Sequence, residues 1–134
     1  MSVMTTVFVN GCFDILHVGH VRLFEFARSL GDRLVVGLDS DENVARSKLG
    51  RPINNLNHRM IMVSALRVVD DVKSFEDSKD LDRLISIVKP DILVVGSDWR
   101  GRPIVGSSHA GKVVYFERIP NLSTTAIIES ARDR

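Results

Sequence analysis

A chain of 134 residues, 44% apolar and 26% charged, suits one domain spanning residues 1–134 around one core. Its formal net charge of +1 argues against nucleic acid or a membrane surface as a bulk electrostatic partner. One cysteine, Cys12, excludes an internal disulfide. The absence of any apolar run near ~20 residues, and of a signal-like N-terminus, reads as a cytoplasmic protein.

Thr5 to Asn10 predicts a first strand whose near-continuous apolar run suits a central position covered on both faces. A helix follows from about Val18 to Leu30, with Leu23, Phe24, Phe26, Ala27 and Leu30 on one arc and Arg22, Glu25 and Arg28 opposite. Gly31-Asp32 ends it, and Leu34 to Leu38 is a second strand. Asp39 to Asn55 reads as a short helix and a loop holding Lys48, Gly50, Arg51 and Pro52. A helix from about Leu56 to Leu66 leads to a short third strand, Val68 to Val72. Ser78 or Asp80 caps the next helix, which lasts to about Val88 and is stopped by Pro90. Ile92 to Val95 is the fourth strand, Gly96 to Gly111 a loop, and Val113 to Phe116 the fifth strand. Ser123-Thr124-Thr125 opens a last helix to about Ala131. This alternation predicts an α/β, Rossmann-like three-layer fold with a parallel sheet of about five strands. Ligands of such sheets bind beyond the carboxyl ends of the strands, where Asn10-Gly11, Asp39-Ser40, Gly96-Ser97 and Arg118 would gather.

The stretch from Asn10 to His20 joins a strand, a glycine turn and a helix N-terminus. A first helical turn has unpaired N–H groups and the positive end of the dipole, which suits a phosphate. Gly11 lets the backbone approach a ligand. His17 and His20, three apart, can share a face and donate to phosphoryl oxygens as charge builds in a transition state. A zinc pair would need further ligands, and Cys12, His58 and His109 do not supply a coherent set. Gly106 to Lys112 fits most of a P-loop pattern, but Val113 stands where a Ser or Thr is needed, and the segment precedes a strand.

Other candidates are cations and hydroxyls. Lys48 and Arg51 sit on a glycine-containing loop that could close over phosphates, Arg59 and Arg67 flank a helix, and Arg118 follows the last strand. Arg67 interrupts an apolar stretch and would need an anion there, which Asp70 or Asp71 could supply. Ser123, Thr124 and Thr125 form either a plain N-cap or a second anion site. Asp14 could orient a histidine, hold a metal or cap the turn, and Trp99 could stack on a base or pack.

Gly11-Cys12-Phe13-Asp14-Ile15-Leu16-His17-Val18-Gly19-His20 resembles the GxFDxxHxGH signature of the cytidylyltransferase-like nucleotidyltransferases. The resemblance runs from about Val7 to Ile128. Ser123-Thr124-Thr125 is similar to the family's second signature, RTxGISTT, with Arg118 at its arginine and Leu122 at its isoleucine. Ile119 and Asn121 replace its threonine and glycine. The resemblance implies catalytic roles for His17, His20, Lys48 and Arg118. It implies a nucleotide site built from Gly11, Cys12, Phe13, Asp14, Gly19, His20, Arg67, Gly96, Asp98, Trp99, Leu122, Ser123 and Thr124. Lys48, Arg51 and Arg59 would hold the acceptor, and Asp14 would assist a Mg²⁺ ion bound through the phosphates.

The implied reaction transfers NMP from ATP or CTP to a phosphorylated sugar or polyol by direct displacement of pyrophosphate, often in a homodimer. Asn10 to Asp41, with Arg51 to Asn54 and Arg59-Met60, is most similar to the adenylyltransferase domain that makes ADP-heptose. Gly96 to Trp99 and Arg118 are more similar to glycerol-3-phosphate cytidylyltransferase. The longer match favours the first. A non-catalytic nucleotide-binding module and an FMN adenylyltransferase stand as further alternatives.

Overall fold

In the computed structural model, residues 3–118 and 123–132 are described. The first strand, β1 (Thr6–Gly11), is central because its middle run Val7-Phe8-Val9 is apolar and buried on both faces. It pairs in parallel with β2 (Arg33–Asp39) on one side and β4 (Ile92–Gly96) on the other. The edges are β3 (Asp71–Phe75) beside β2 and β5 (Lys112–Phe116) beside β4, giving the order β3-β2-β1-β4-β5. Among the described residues, α1 (Val18–Ser29), α2 (Asp41–Ser47), α3 (Leu56–Ser64) and α4 (Ser78–Val88) connect the first four strands, and α5 (Thr124–Arg132) follows β5.

Alternation along the strands divides the apolar side chains between two faces. Val7, Val9, Leu34, Val36, Leu38, Ile92 and Val94 pack with Phe24 and Ala27 of α1 and Val63 of α3. Phe8, Val35, Phe75 and Leu93 point the other way, against Leu81 and Ile85 of α4. The layers hold the five carboxyl strand ends along one edge, and the order reverses between β1 and β4. Open parallel sheets bind ligands at such a reversal.

Three sequence expectations are corrected here. The third strand is Asp71–Phe75, not Val68 to Val72. Val69 is buried in the turn before it, while Lys73 and Ser74 of the edge strand are exposed, so the most apolar residues lie outside the strand. Helix α3 stops at Ser64 rather than Leu66, because the Leu66 N–H donates to Val63 O in a tight turn. Asp77, not Ser78 or Asp80, caps α4, its Oδ1 accepting from the Asp80 N–H at 2.8 Å. The Gly96 to Gly111 loop contains two short 3₁₀ turns, Ser97–Trp99 and Ser107–His109, and leads into β5 as expected. Among the described residues no helix is long and apolar enough to cross a membrane.

Candidate active site

The β1–α1 turn is built around Phe13, a non-glycine residue at φ +49°. Its ring packs edge-on against Phe24, with centroids 4.8 Å apart, and against the His20 imidazole at 5.4 Å. The same ring folds back over Gly11, where an added Cβ would lie 3.0 Å from it. Gly11 and Phe13 therefore shape the turn and support His20 from below.

His17 is the N-cap of α1. Its Nδ1 accepts the Gly19 N–H at 3.0 Å, while His20 Nδ1 accepts the His17 N–H at 3.2 Å. The two rings stack with centroids 3.8 Å apart and planes 21° from parallel. A ring nitrogen that accepts an N–H carries no proton, so each neutral ring must carry it on Nε2. Burial lowers the His17 pKa. The His20 pKa falls to about 4, chiefly through burial and then through the fields of His17, Arg118 and Lys48. At neutral pH the pair is thus two uncharged Nε2–H donors beside the N-terminus of α1.

Lys48 is the exposed C-cap of α2, and its charge acts on both His20 and Cys12. Arg118 follows β5 and pairs with Asp98 at 3.3 Å, both side chains more than half exposed. Gly96 lies beneath that pair; a Cβ there would stand 2.6 Å from Asp98 Oδ1 and 3.1 Å from Arg118 Nε. Trp99 is 44% exposed, with the Arg102 guanidinium 5.9 Å from its ring centroid. Cys12 is partly buried, and burial raises its thiol pKa.

At the start of α5, Ser123 Oγ accepts the Ala126 N–H at 3.0 Å and Thr124 Oγ1 donates to Ile15 O at 3.0 Å. The Ser123 hydroxyl caps its own helix, and the Thr124 hydroxyl ties that helix to the β1–α1 loop. What this terminus offers an anion is its first-turn N–H groups. Leu122, with Ile119 and Asn121, lies outside the described residues.

Several charged candidates have different surroundings from those expected. Asp14 is buried, its Oδ2 accepting from Arg51 Nε at 3.0 Å and from the Ile53 N–H at 2.7 Å, and its Oδ1 from the Asn54 N–H at 2.8 Å. It anchors the 51–54 segment, and this occupancy counts against it as a metal ligand. Among the described residues no three His, Cys, Asp or Glu side chains come together as a metal site. Arg51, with 9% of its side chain exposed, also donates to Thr125 Oγ1 at 3.3 Å, linking that segment to α5. Arg59 is completely buried and donates to Asn54 O, Cys12 O, Asp39 O and Asp41 Oδ1, so it presents no face to an acceptor phosphate.

Arg67 is exposed beyond the end of α3, three residues before Asp70, whose N–H donates to Leu34 O. That is the amino edge of the sheet, opposite the histidines, so a nucleotide at the histidines is out of its reach. Exposure also removes its need for a buried anion.

Sequence reasoning missed Asp41 and Asn54. The available signal was the position of Arg59 on the apolar stripe of α3, between Leu56 and Val63. A cation placed there requires acceptors from neighbouring loops.

Residues 8–130 match the family described as Cytidylyltransferase-like. The chain belongs to that family. The bifunctional protein HldE of Pseudomonas aeruginosa strain LESB58 is 46% identical over 133 residues, covering 96% of this chain and 28% of its own. HldE of Hahella chejuensis is 47% identical over 131 residues, with 94% and 27% covered. The chain therefore spans just over a quarter of the length of these curated relatives. Among solved structures, the lipopolysaccharide core biosynthesis protein from Thermoplasma volcanium GSS1 is 33% identical with a TM-score of 0.70, covering 90% of this chain and all of its own. A bifunctional NMN adenylyltransferase/ADP ribose pyrophosphatase from Francisella tularensis, 14% identical with a TM-score of 0.68, shares the fold, covering 98% of this chain and 42% of its own. The matched residues include the β1–α1 turn and the stacked histidines.

Proposed function

We propose that this cytidylyltransferase-like chain transfers AMP from ATP to a heptose 1-phosphate, giving ADP-heptose and pyrophosphate. The observation that carries the reaction class is the His17–His20 pair, whose Nδ1 atoms are both held by backbone N–H groups. That arrangement supports two fixed Nε2–H donors for charge on the α-phosphoryl oxygens. The choice of adenylate and heptose rests on likeness to HldE over 96% of the chain.

A phosphate oxygen of the acceptor attacks the α-phosphorus while the bond to the pyrophosphate oxygen breaks; no covalent enzyme intermediate forms. His17 and His20 donate to the α-phosphoryl oxygens as negative charge builds there. Lys48 draws the acceptor phosphate toward the imidazoles. Arg118 and the N–H groups at the start of α5 hold the leaving pyrophosphate, and Trp99 meets the base. The residues present do not fit a metal held by protein carboxylates. The divalent cation belongs with the nucleotide substrate. The resemblance further supports a cytoplasmic homodimer.

The Gly96 to Trp99 turn, with Asp98 paired to Arg118, favours a second reading in which CTP and glycerol 3-phosphate are the substrates. Pyrophosphate release separates the two. ATP and CTP are each tested with heptose 1-phosphate and glycerol 3-phosphate in the presence of Mg²⁺, with His17→Ala as control. Turnover confined to ATP with heptose 1-phosphate supports the first reading. Turnover confined to CTP with glycerol 3-phosphate replaces it, and absence of nucleotide binding overturns both.

A further inference from the structure

Among the described residues Arg59 has the largest fully buried side chain, yet it is a guanidinium. Four bonds to oxygen, from three segments, hold it. Nε donates to Asn54 O at 3.0 Å; Nη1 donates to Cys12 O at 3.0 Å and Asp39 O at 2.8 Å; Nη2 donates to Asp41 Oδ1 at 2.7 Å. A guanidinium has five N–H donors in a fixed plane, so four bonds fix its orientation. The three carbonyls belong to the motif turn, the end of β2 and the 51–54 segment. The fourth partner is the first residue of α2.

That fourth bond grips the start of the helix that ends at Lys48. Helix α2 runs from Asp41 to Ser47, with Val44 buried at its middle and Lys48 as its C-cap. Fewer than three turns of helix separate Asp41, which Arg59 grips, from Lys48, whose charge acts on His20. Beyond Lys48 the chain is gripped again where Arg51 meets Asp14 at 3.0 Å. Residues 45–50 between these points are exposed. Lys48 thus rides on a short rod whose starting end is fixed by a buried cation. Arg59 also grips Cys12 O, so one planar group ties the rod to the turn that carries the histidines.

We infer that Arg59 is a positioning residue: through Asp41 and α2 it sets Lys48 against the His17–His20 pair, and it does not bind phosphate itself. The inference rests on the role given to Lys48 under the proposed function.

Asp41 is the place to cut this link. Its side chain is 40% exposed, and replacing it leaves the three carbonyl bonds of Arg59 intact. Asp41→Ala, Lys48→Ala and the double variant are compared by pyrophosphate release across acceptor and nucleotide concentrations, with a thermal melt for each. The expected result is about a tenfold fall in kcat/KM for the acceptor in Asp41→Ala, with the KM for nucleotide unchanged. In the Lys48→Ala background the same substitution should have no further effect, and Asp41→Asn, which keeps the acceptor oxygen, should recover most of the rate. An equal loss in both backgrounds would overturn the positioning role, as would an Asp41→Ala variant as active as the parent while Lys48→Ala is impaired. A parent chain that binds nucleotide but releases no pyrophosphate with any acceptor would instead overturn the proposed function.

Discussion

The imidazoles of His17 and His20 lie 3.8 Å apart and nearly parallel, each with its Nδ1 turned back onto the backbone. Stacking two protonated rings would set like charges against each other, and burial opposes either charge. Substitution can separate the two ends of the His17 ring. Asn is a good N-cap and can accept the Gly19 N–H as Nδ1 does, but it has nothing at the Nε2 position. We predict that His17→Asn retains the parent thermal midpoint and loses turnover on the order of a hundredfold or more. A variant with turnover near the parent value would remove His17 from the chemistry.

The acid side of the pH profile follows from the same geometry. His20 is lowered from 6.5 to about 4, first by burial. Between those values the unfolded chain takes up the proton while the folded one does not. The stability contributed by neutral His20 is complete above pH 6.5 and declines as pH falls toward 4. Catalysis should keep its donors through the same window, so no loss of kcat/KM centred near 6.5 is expected. Imidazole titration by NMR, beside the pH–rate profile, checks both statements. A His20 midpoint near 6.5 would contradict the buried, neutral pair.

Asp14 tests whether the acid of the signature turn holds a metal or holds the fold. With Arg51 and two backbone N–H groups on its oxygens, it predicts a stability defect. Asp14→Asn should cost about 3 kcal/mol by leaving the buried Arg51 without its counter-charge. The Mg²⁺ concentration for half-maximal turnover should not move. Urea denaturation and a Mg²⁺ titration of the folded variant check these; a large shift in Mg²⁺ requirement with intact stability would reverse the assignment.

Arg67 offers the opposite contrast. Because it is exposed at the amino edge, Arg67→Ala should change stability by less than about 0.5 kcal/mol and leave the KM for nucleotide unchanged. A several-fold rise in that KM would place it in the site after all.

Gly96→Ala probes the Asp98–Arg118 pair at the end of β4. The added Cβ meets the far ends of Asp98 and Arg118 rather than backbone, so both side chains can move aside. We predict less than about 1 kcal/mol of destabilisation, with a rise in KM for nucleotide as the ion pair is displaced. Calorimetry and initial rates distinguish this from a general folding defect.

The parallel sheet was readable because four of its strands contain runs such as Val7-Phe8-Val9 and Leu34-Val35-Val36, which only a doubly covered strand accommodates. The third strand was misplaced because an edge strand needs backbone partners more than apolar side chains, and Lys73-Ser74 sit in the middle of it. At the site, the strand–turn–helix context marked out His17 and His20. Their tautomers were not readable, since these depend on which backbone N–H meets Nδ1. The arginines were the least legible. Arg51, Arg59 and Arg67 are equal as letters, but one bridges Asp14 to Thr125, one is enclosed by carbonyls, and one is in solvent. Carbonyl acceptors belong to every residue type, so no sequence pattern announces them.

The bond from Thr124 Oγ1 to Ile15 O joins residues 109 apart in sequence. During folding, the histidine turn can gain its helix from local contacts, but α5 reaches it only after almost the whole chain has been laid down. Long loop closure makes such a contact slow to form. Nucleotide present during refolding should therefore accelerate none of the early phases and should act only on the last, when the two ends of the sequence meet across it.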